Sequence, residues 1–173
     1  MHYNSKELSI IITFSAIGAI LSVPIGHLGN YLKTVPILPL GTGQILAGLH
    51  LVMITLTALR LRKPGVATIT GLVKGFVEAV LFSFHGLPVI VMSGVQGFII
   101  DIFFQIFGYD SKIGSALACG VSALSNVLFI QLFLGMPFPA SVYTLMYILS
   151  FISGVLLGAY PSQLLHKMIK TRI

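Results

Sequence analysis

The chain is 173 residues long, 56% hydrophobic and only 8% charged, with a mean hydropathy of +1.01. A soluble domain of this size leaves much of its chain in water and carries about 25% charged residues, so a cytosolic enzyme, a secreted domain and a disordered regulator are excluded. The net charge of +6 comes from basic residues set between apolar blocks, which concerns membrane topology and anionic lipid rather than nucleic acid.

Six apolar segments follow in order, at residues 8–28, 44–59, 66–84, 87–107, 113–134 and 142–163. Most hold about 20 residues, which at ~1.5 Å per residue crosses a ~30 Å hydrocarbon core. They are continuous apolar runs and not ten-residue alternations, so helices are predicted rather than a barrel. The second is short, and its start is open upstream. Breaks fall at Arg62-Lys63-Pro64-Gly65, His85-Gly86-Leu87-Pro88, Gly108-Tyr109-Asp110-Ser111 and the Gly135 to Pro139 turn, where Gly and Pro end helices by backbone geometry. The longest connection, residues 29–43, carries Asn30, Tyr31, Lys33, Pro36 and Pro39. It reads as a lid or binding loop, or equally as an extended connector at the membrane interface. The expectation is an all-α integral membrane protein: one domain over 1–173, six transmembrane helices, no cleavable signal peptide.

With the N-terminus inside, the inner side receives Lys6, Arg60, Arg62, Lys63, Lys112, Lys167, Lys170 and Arg172, and the outer side only Lys33. That asymmetry predicts both termini inside and the long first loop outside.

Lys74, Glu78 and Asp101 lie within spans, where each costs about 2.5–3.5 kcal/mol on insertion scales unless paired or wetted. Lys74 and Glu78 are spaced to share one helix face. Counted from the Gly86 turn, Lys74 stands level with residue 97 and Asp101 about one turn deeper, so Lys74 is expected to bridge Glu78 and Asp101. For Lys74 and Asp101 a structural ion pair is the favoured reading. Glu78, nearer the outer side, divides evenly between brace and binding residue.

Polar stripes mark three spans. Span five carries Ser115, Cys119, Ser122 and Asn126, span six Tyr143, Tyr147, Ser150 and Gly154, and span four Ser93, Gln96 and Gly97. The serines read as packing glue. Gln96, Asn126 and the two tyrosines need polar partners in hydrocarbon, although Tyr143 also reads as an interfacial aromatic. Span one has a small-residue face, Ser15, Gly18, Ala19 and Ser22, suited to a partner helix. His27 and His50 read as packing residues. The single cysteine, Cys119, gives no disulfide and no cysteine-based metal cluster. No nucleophile elbow, zinc-protease, phosphate-loop or redox motif is present, so no catalytic residue, resident metal or cofactor is assigned.

The stretch from residue 60 to 105, with Arg62-Lys63-Pro64-Gly65, Glu78, Gly86-Leu87, Gly94-Val95-Gln96-Gly97 and Asp101, resembles the substrate-binding S components of energy-coupling-factor (ECF) vitamin transporters. It is most similar to the YkoE family associated with hydroxymethylpyrimidine and thiamine. The resemblance implies a binding subunit in a prokaryotic plasma membrane. It would take a water-soluble vitamin from outside and dock on a transmembrane T subunit carried by two ABC ATPases. It implies that Ser15, Gly18, Ala19 and Ser22 form the docking face, with Ser15 and Ala19 standing where the family motif has two alanines. The chain has no tryptophan for stacking on thiamine. Tyr31, Phe84, Tyr143 or Tyr147 would substitute, and Glu78, Gln96 and Asn126 would supply polar contacts. A competing reading is a stand-alone proton-coupled carrier or channel using Lys74, Glu78 and Asp101. A membrane enzyme acting on lipid is the weakest reading, for want of inward-facing acids or histidines.

Overall fold

A computed structural model of the chain describes residues 3–33, 42–82, 86–135 and 138–170. Six helices account for nearly all of them. Helix α1 is Ser5–Lys33, α2 combines a 3₁₀ stretch, Thr42–Leu51, with an α-helical one, Val52–Leu61, and α3 is Val66–Phe82. Helix α4 is Pro88–Phe107, α5 is Lys112–Phe129 continued by a π-helical turn, Ile130–Leu134, and α6 is Ala140–Lys170 with a π-helical segment at Gly154–Ala159. All of these except α3 are long and apolar enough to cross a bilayer. Helix α3 has 17 described residues, within the range of a span. This is a multi-pass membrane protein.

Two expected boundaries move. Asn30, Tyr31 and Lys33 belong to α1 and not to a loop. Pro24 sits inside that helix without ending it, as membrane helices tolerate where neighbours re-satisfy the freed carbonyl. Helix α6 continues past residue 163 to Lys170. The proposed lid now shrinks to residues 34–41, which lie outside the described residues.

Helix α2 is the centre of the bundle. It touches all five other helices, and Leu51, Ile54, Ala58 and Leu59 are buried against Ala67, Ile100, Phe104, Ala118 and Cys119. Large apolar side chains such as Ile12, Ile20, Phe76, Val80, Phe98 and Leu132 face outward, where lipid replaces water as their solvent. Burial of apolar surface therefore drives helix association weakly, and close backbone packing and hydrogen bonds must hold the helices together.

Glycine and serine provide both. A methyl group at Gly71 would overlap the Ser93 carbonyl, one at Gly75 would press on Ile90, and one at Gly97 would overlap the Ala67 carbonyl. These contacts lock α3 onto α4. Gly154 sits likewise against the Cys119 backbone, and Gly48 against the Ser153 backbone. The expected glue appears at Ser122 Oγ, which donates to the Gln96 carbonyl at 3.0 Å, and at Ser150 Oγ, which donates to the Ala123 carbonyl at 2.6 Å. Ser153 Oγ does more. It accepts from Gly48 N at 2.9 Å and donates to the Ile45 carbonyl at 2.5 Å, serving the backbone of the 3₁₀ stretch from the facing helix. A ten-residue 3₁₀ run is far longer than the usual three or four, and it lies against the π-helical segment of α6.

The turns are chemically specific. Arg62 closes α2 in the left-handed region at φ 51° and Gly65 follows at φ 82°, the conformation glycine adopts freely. Arg62 pairs with Asp110 across the same end of the bundle, and Lys63 pairs with Glu7 at 2.7 Å. Ser111 caps α5 by accepting from Gly114 N at 2.9 Å. These basic residues mark one end of the bundle, the basic end; the opposite one is the far end.

Candidate functional site

Helix α3 carries an ion pair within the bundle. Lys74 Nζ donates to Glu78 Oε2 at 2.7 Å, with the two side chains 2% and 14% exposed. The pair forms because positions four apart stand one above the other on a helix. The Lys74 stem lies against Gly18 of α1, which also meets Met53 of α2.

Asp101 is not part of this pair, contrary to the expected bridge. Its carboxylate accepts from Ala67 N at 3.1 Å, Thr68 N at 2.8 Å and Thr68 Oγ1 at 2.6 Å. An acid at a helix N-terminus satisfies orphan N–H groups and meets the positive end of the dipole. The bridge fails on register. Gly71 faces Ser93 and Gly97 faces Ala67, so Lys74 stands level with residue 90, not 97. Asp101 is then about eleven residues toward the basic end, a separation of ~16 Å at 1.5 Å per residue. The helices are aligned by their glycines and not by the length of the turn between them.

The small face of α1 points inward. Ser15, Gly18, Ala19 and Ser22 are all buried within the chain. Ser15 Oγ donates to the Thr70 carbonyl at 3.0 Å, and Ser22 Oγ lies 2.9 Å from His50 Nδ1. This face is the seat of α2 and α3, so the expectation that it docks a partner helix is corrected.

The same contacts bring His50 into the site. Helices α1 and α3 run side by side in one direction, with Ser15 beside Thr70 and Gly18 beside Lys74. Continuing that offset puts Ser22, and with it His50, level with Glu78. Sequence reasoning gave His50 only a packing role. Its signal was the one-turn spacing from Met53, which shares the α1 contact.

The amides form a second group. Asn126 Nδ2 donates to Gln44 Oε1 at 3.2 Å, joining α5 to the start of α2. Gln44, which opens the second span, was not singled out in the sequence. Gln96 is buried, and its backbone carbonyl accepts from Ser122 Oγ. Tyr147 Oη donates to Gln131 Oε1 at 2.9 Å in an exposed position, and Tyr143 packs edge-on against Phe138 with centroids 5.8 Å apart. Tyr31 is exposed near the end of α1. Phe84 lies outside the described residues. The predicted residues thus separate into the Lys74–Glu78 pair with α1 and His50, the Gln44–Asn126 pair, and the α5–α6 tyrosine contact. Among the described residues no three His, Cys, Asp or Glu side chains are grouped to hold a metal.

Residues 6–129 match the family model described as "ABC-type cobalt transport system, permease component". No curated protein matches the sequence. A solved structure described as the crystal structure of an S-component of an ECF transporter shares the fold, with a TM-score of 0.87 and 22% identity over 99% of this chain and 87% of the other.

Proposed function

The chain belongs to the family of ABC-type cobalt transport system permease components, and from that premise we propose that it is the substrate-binding subunit of an ECF-type importer. Membership places it among transporter components and not among enzymes. The observation that carries the finer reading is the likeness to an S component across nearly the whole chain. A permease of this kind holds no ATP-binding motif of its own, so it works with a transmembrane T subunit and two ABC ATPases. The charge asymmetry supports both termini inside, and the likeness to an S component supports a prokaryotic plasma membrane. The far end, with Glu78, His50, Gln44 and Asn126, then faces outward, where substrate arrives.

The donor set supports a small organic substrate. The family description names cobalt, yet Glu78 is already neutralised by the Lys74 ammonium, and a cation beside the carboxylate opposes capture of a dication there. A carboxylate, an imidazole and two amides suit a polar heterocycle. Thiamine or its hydroxymethylpyrimidine precursor fits this pattern, with Glu78 on the aminopyrimidine edge and Tyr143 or Tyr147 offering an aromatic face. The carrier reading weakens, because Asp101 is tied to the start of α3 and removed from the other two charges.

Thermal unfolding of the purified chain against thiamine, hydroxymethylpyrimidine, riboflavin, biotin, Ni²⁺ and Co²⁺ tests this, since a ligand that binds only the folded state raises the melting temperature. Stabilisation by thiamine or hydroxymethylpyrimidine, lost in Glu78→Gln, is expected. Stabilisation by Co²⁺ alone would overturn the organic-substrate reading.

A further inference from the structure

We propose that the basic end holds a specific site for an anionic phospholipid, with its acyl chain between α5 and α6 and its phosphate among the basic residues beneath. Two adjoining cavities carry this. The first, of about 400 Å³, runs between α5 and α6 past Ala116, Val155, Leu156 and Ala159, and its lining is mostly apolar. Leu156 and Tyr160 on its rim are exposed, so the groove opens sideways to lipid. Lys112 and Gln163 line it at the basic end and also line the second cavity, of about 190 Å³. The two spaces therefore share a wall, apolar toward the middle of the membrane and charged toward its surface. That is the polarity of a lipid, chain first and headgroup last.

The headgroup pocket is built for an anion. Arg62, Lys112, Lys167 and Lys170 line it against the single acid Asp110, which is paired with Arg62. Among the described residues, Tyr109 Oη and His166 Nδ1 are the buried side-chain polar atoms without a hydrogen-bond partner, and both residues line this same pocket. Buried polar groups are normally satisfied, and two unsatisfied ones on residues that line one basic pocket fit a ligand whose acceptor oxygens they reach on a small side-chain adjustment. Burial, followed by the charge of Asp101, raises the Tyr109 phenol above its ordinary value, which keeps it protonated and able to donate. A free phosphate offers the same oxygens, but the adjoining apolar groove would then have no occupant, and the lipid accounts for both.

The test uses the full chain, purified in detergent and stripped of lipid. Dioleoyl phosphatidylglycerol, dioleoyl phosphatidylcholine and inorganic phosphate are titrated separately, with melting temperature and native mass spectrometry as readouts. Phosphatidylglycerol is expected to bind saturably, to raise the melting temperature and to remain bound in the gas phase, with phosphatidylcholine at least tenfold weaker. Each basic residue near a membrane surface contributes about fivefold in affinity. Lys112→Gln should therefore weaken phosphatidylglycerol by about that factor, whereas Lys6→Gln, with the same change of net charge, should not. Ala116→Phe, which fills the groove, should weaken the lipid too. Equal binding of the two lipids, or equal effects of Lys112→Gln and Lys6→Gln, would overturn the proposal. Stabilisation by inorganic phosphate as strong as by the lipid would also overturn it, in favour of a soluble-anion site.

Discussion

The three charges within spans on α3 and α4 are neutralised in two different ways, and mutation should tell them apart. Lys74 and Glu78 rely on each other. Lys74→Met leaves an unpaired buried carboxylate and should cost about 3–5 kcal/mol, while Lys74→Met with Glu78→Leu should recover most of it. Unfolding of both variants in mixed micelles reads the difference. Asp101 relies on backbone N–H groups and a threonine. Asp101→Asn keeps the shape but loses charge-assisted acceptance, and should cost about 1–3 kcal/mol with no effect on Lys74→Met beyond additivity. A double-mutant cycle with strong coupling between the two positions would contradict the separation. The spacing of Lys74 and Glu78 was legible in the sequence because it is local. The partner of Asp101 was not, since a backbone N–H carries no residue-type signature.

At the scale of elements, lengths and order were legible because a bilayer demands about 20 apolar residues per span. Register and facing were not. A small-residue face says that something approaches closely, not whether it is the chain's own α2 and α3 or another protein, and Ser15, Gly18, Ala19 and Ser22 turned out to face inward. The alignment of α3 with α4 depends on Gly71, Gly75 and Gly97 meeting backbone. Gly71→Ala should therefore destabilise the chain by about 1–3 kcal/mol, whereas alanine at Gly29, where an added methyl meets nothing, should not. Melting temperatures of the pair check this.

For the whole molecule, the charge asymmetry predicts which face meets the cytoplasm. The sole cysteine is fully buried, so introduced cysteines can be labelled against a quiet background. Leu87→Cys, at the far end, should react with an impermeant maleimide on intact cells, and Asp110→Cys only after permeabilisation. The reverse pattern would invert the topology and place Glu78 on the wrong side for capture from outside. The proposed function at this scale calls for partners. Uptake should require the T subunit and ATPases together, and transport by this chain alone in proteoliposomes would restore the carrier reading.

The 3₁₀ stretch of α2 stores length. Its ten residues rise by about 2.0 Å each, against 1.5 Å in an α-helix, so rewinding them would draw in the far end by ~5 Å. The Ser153 hydroxyl, engaged at both Ile45 and Gly48, holds that extended pitch in place. Over that stretch the central helix spans more depth per residue than an α-helix would.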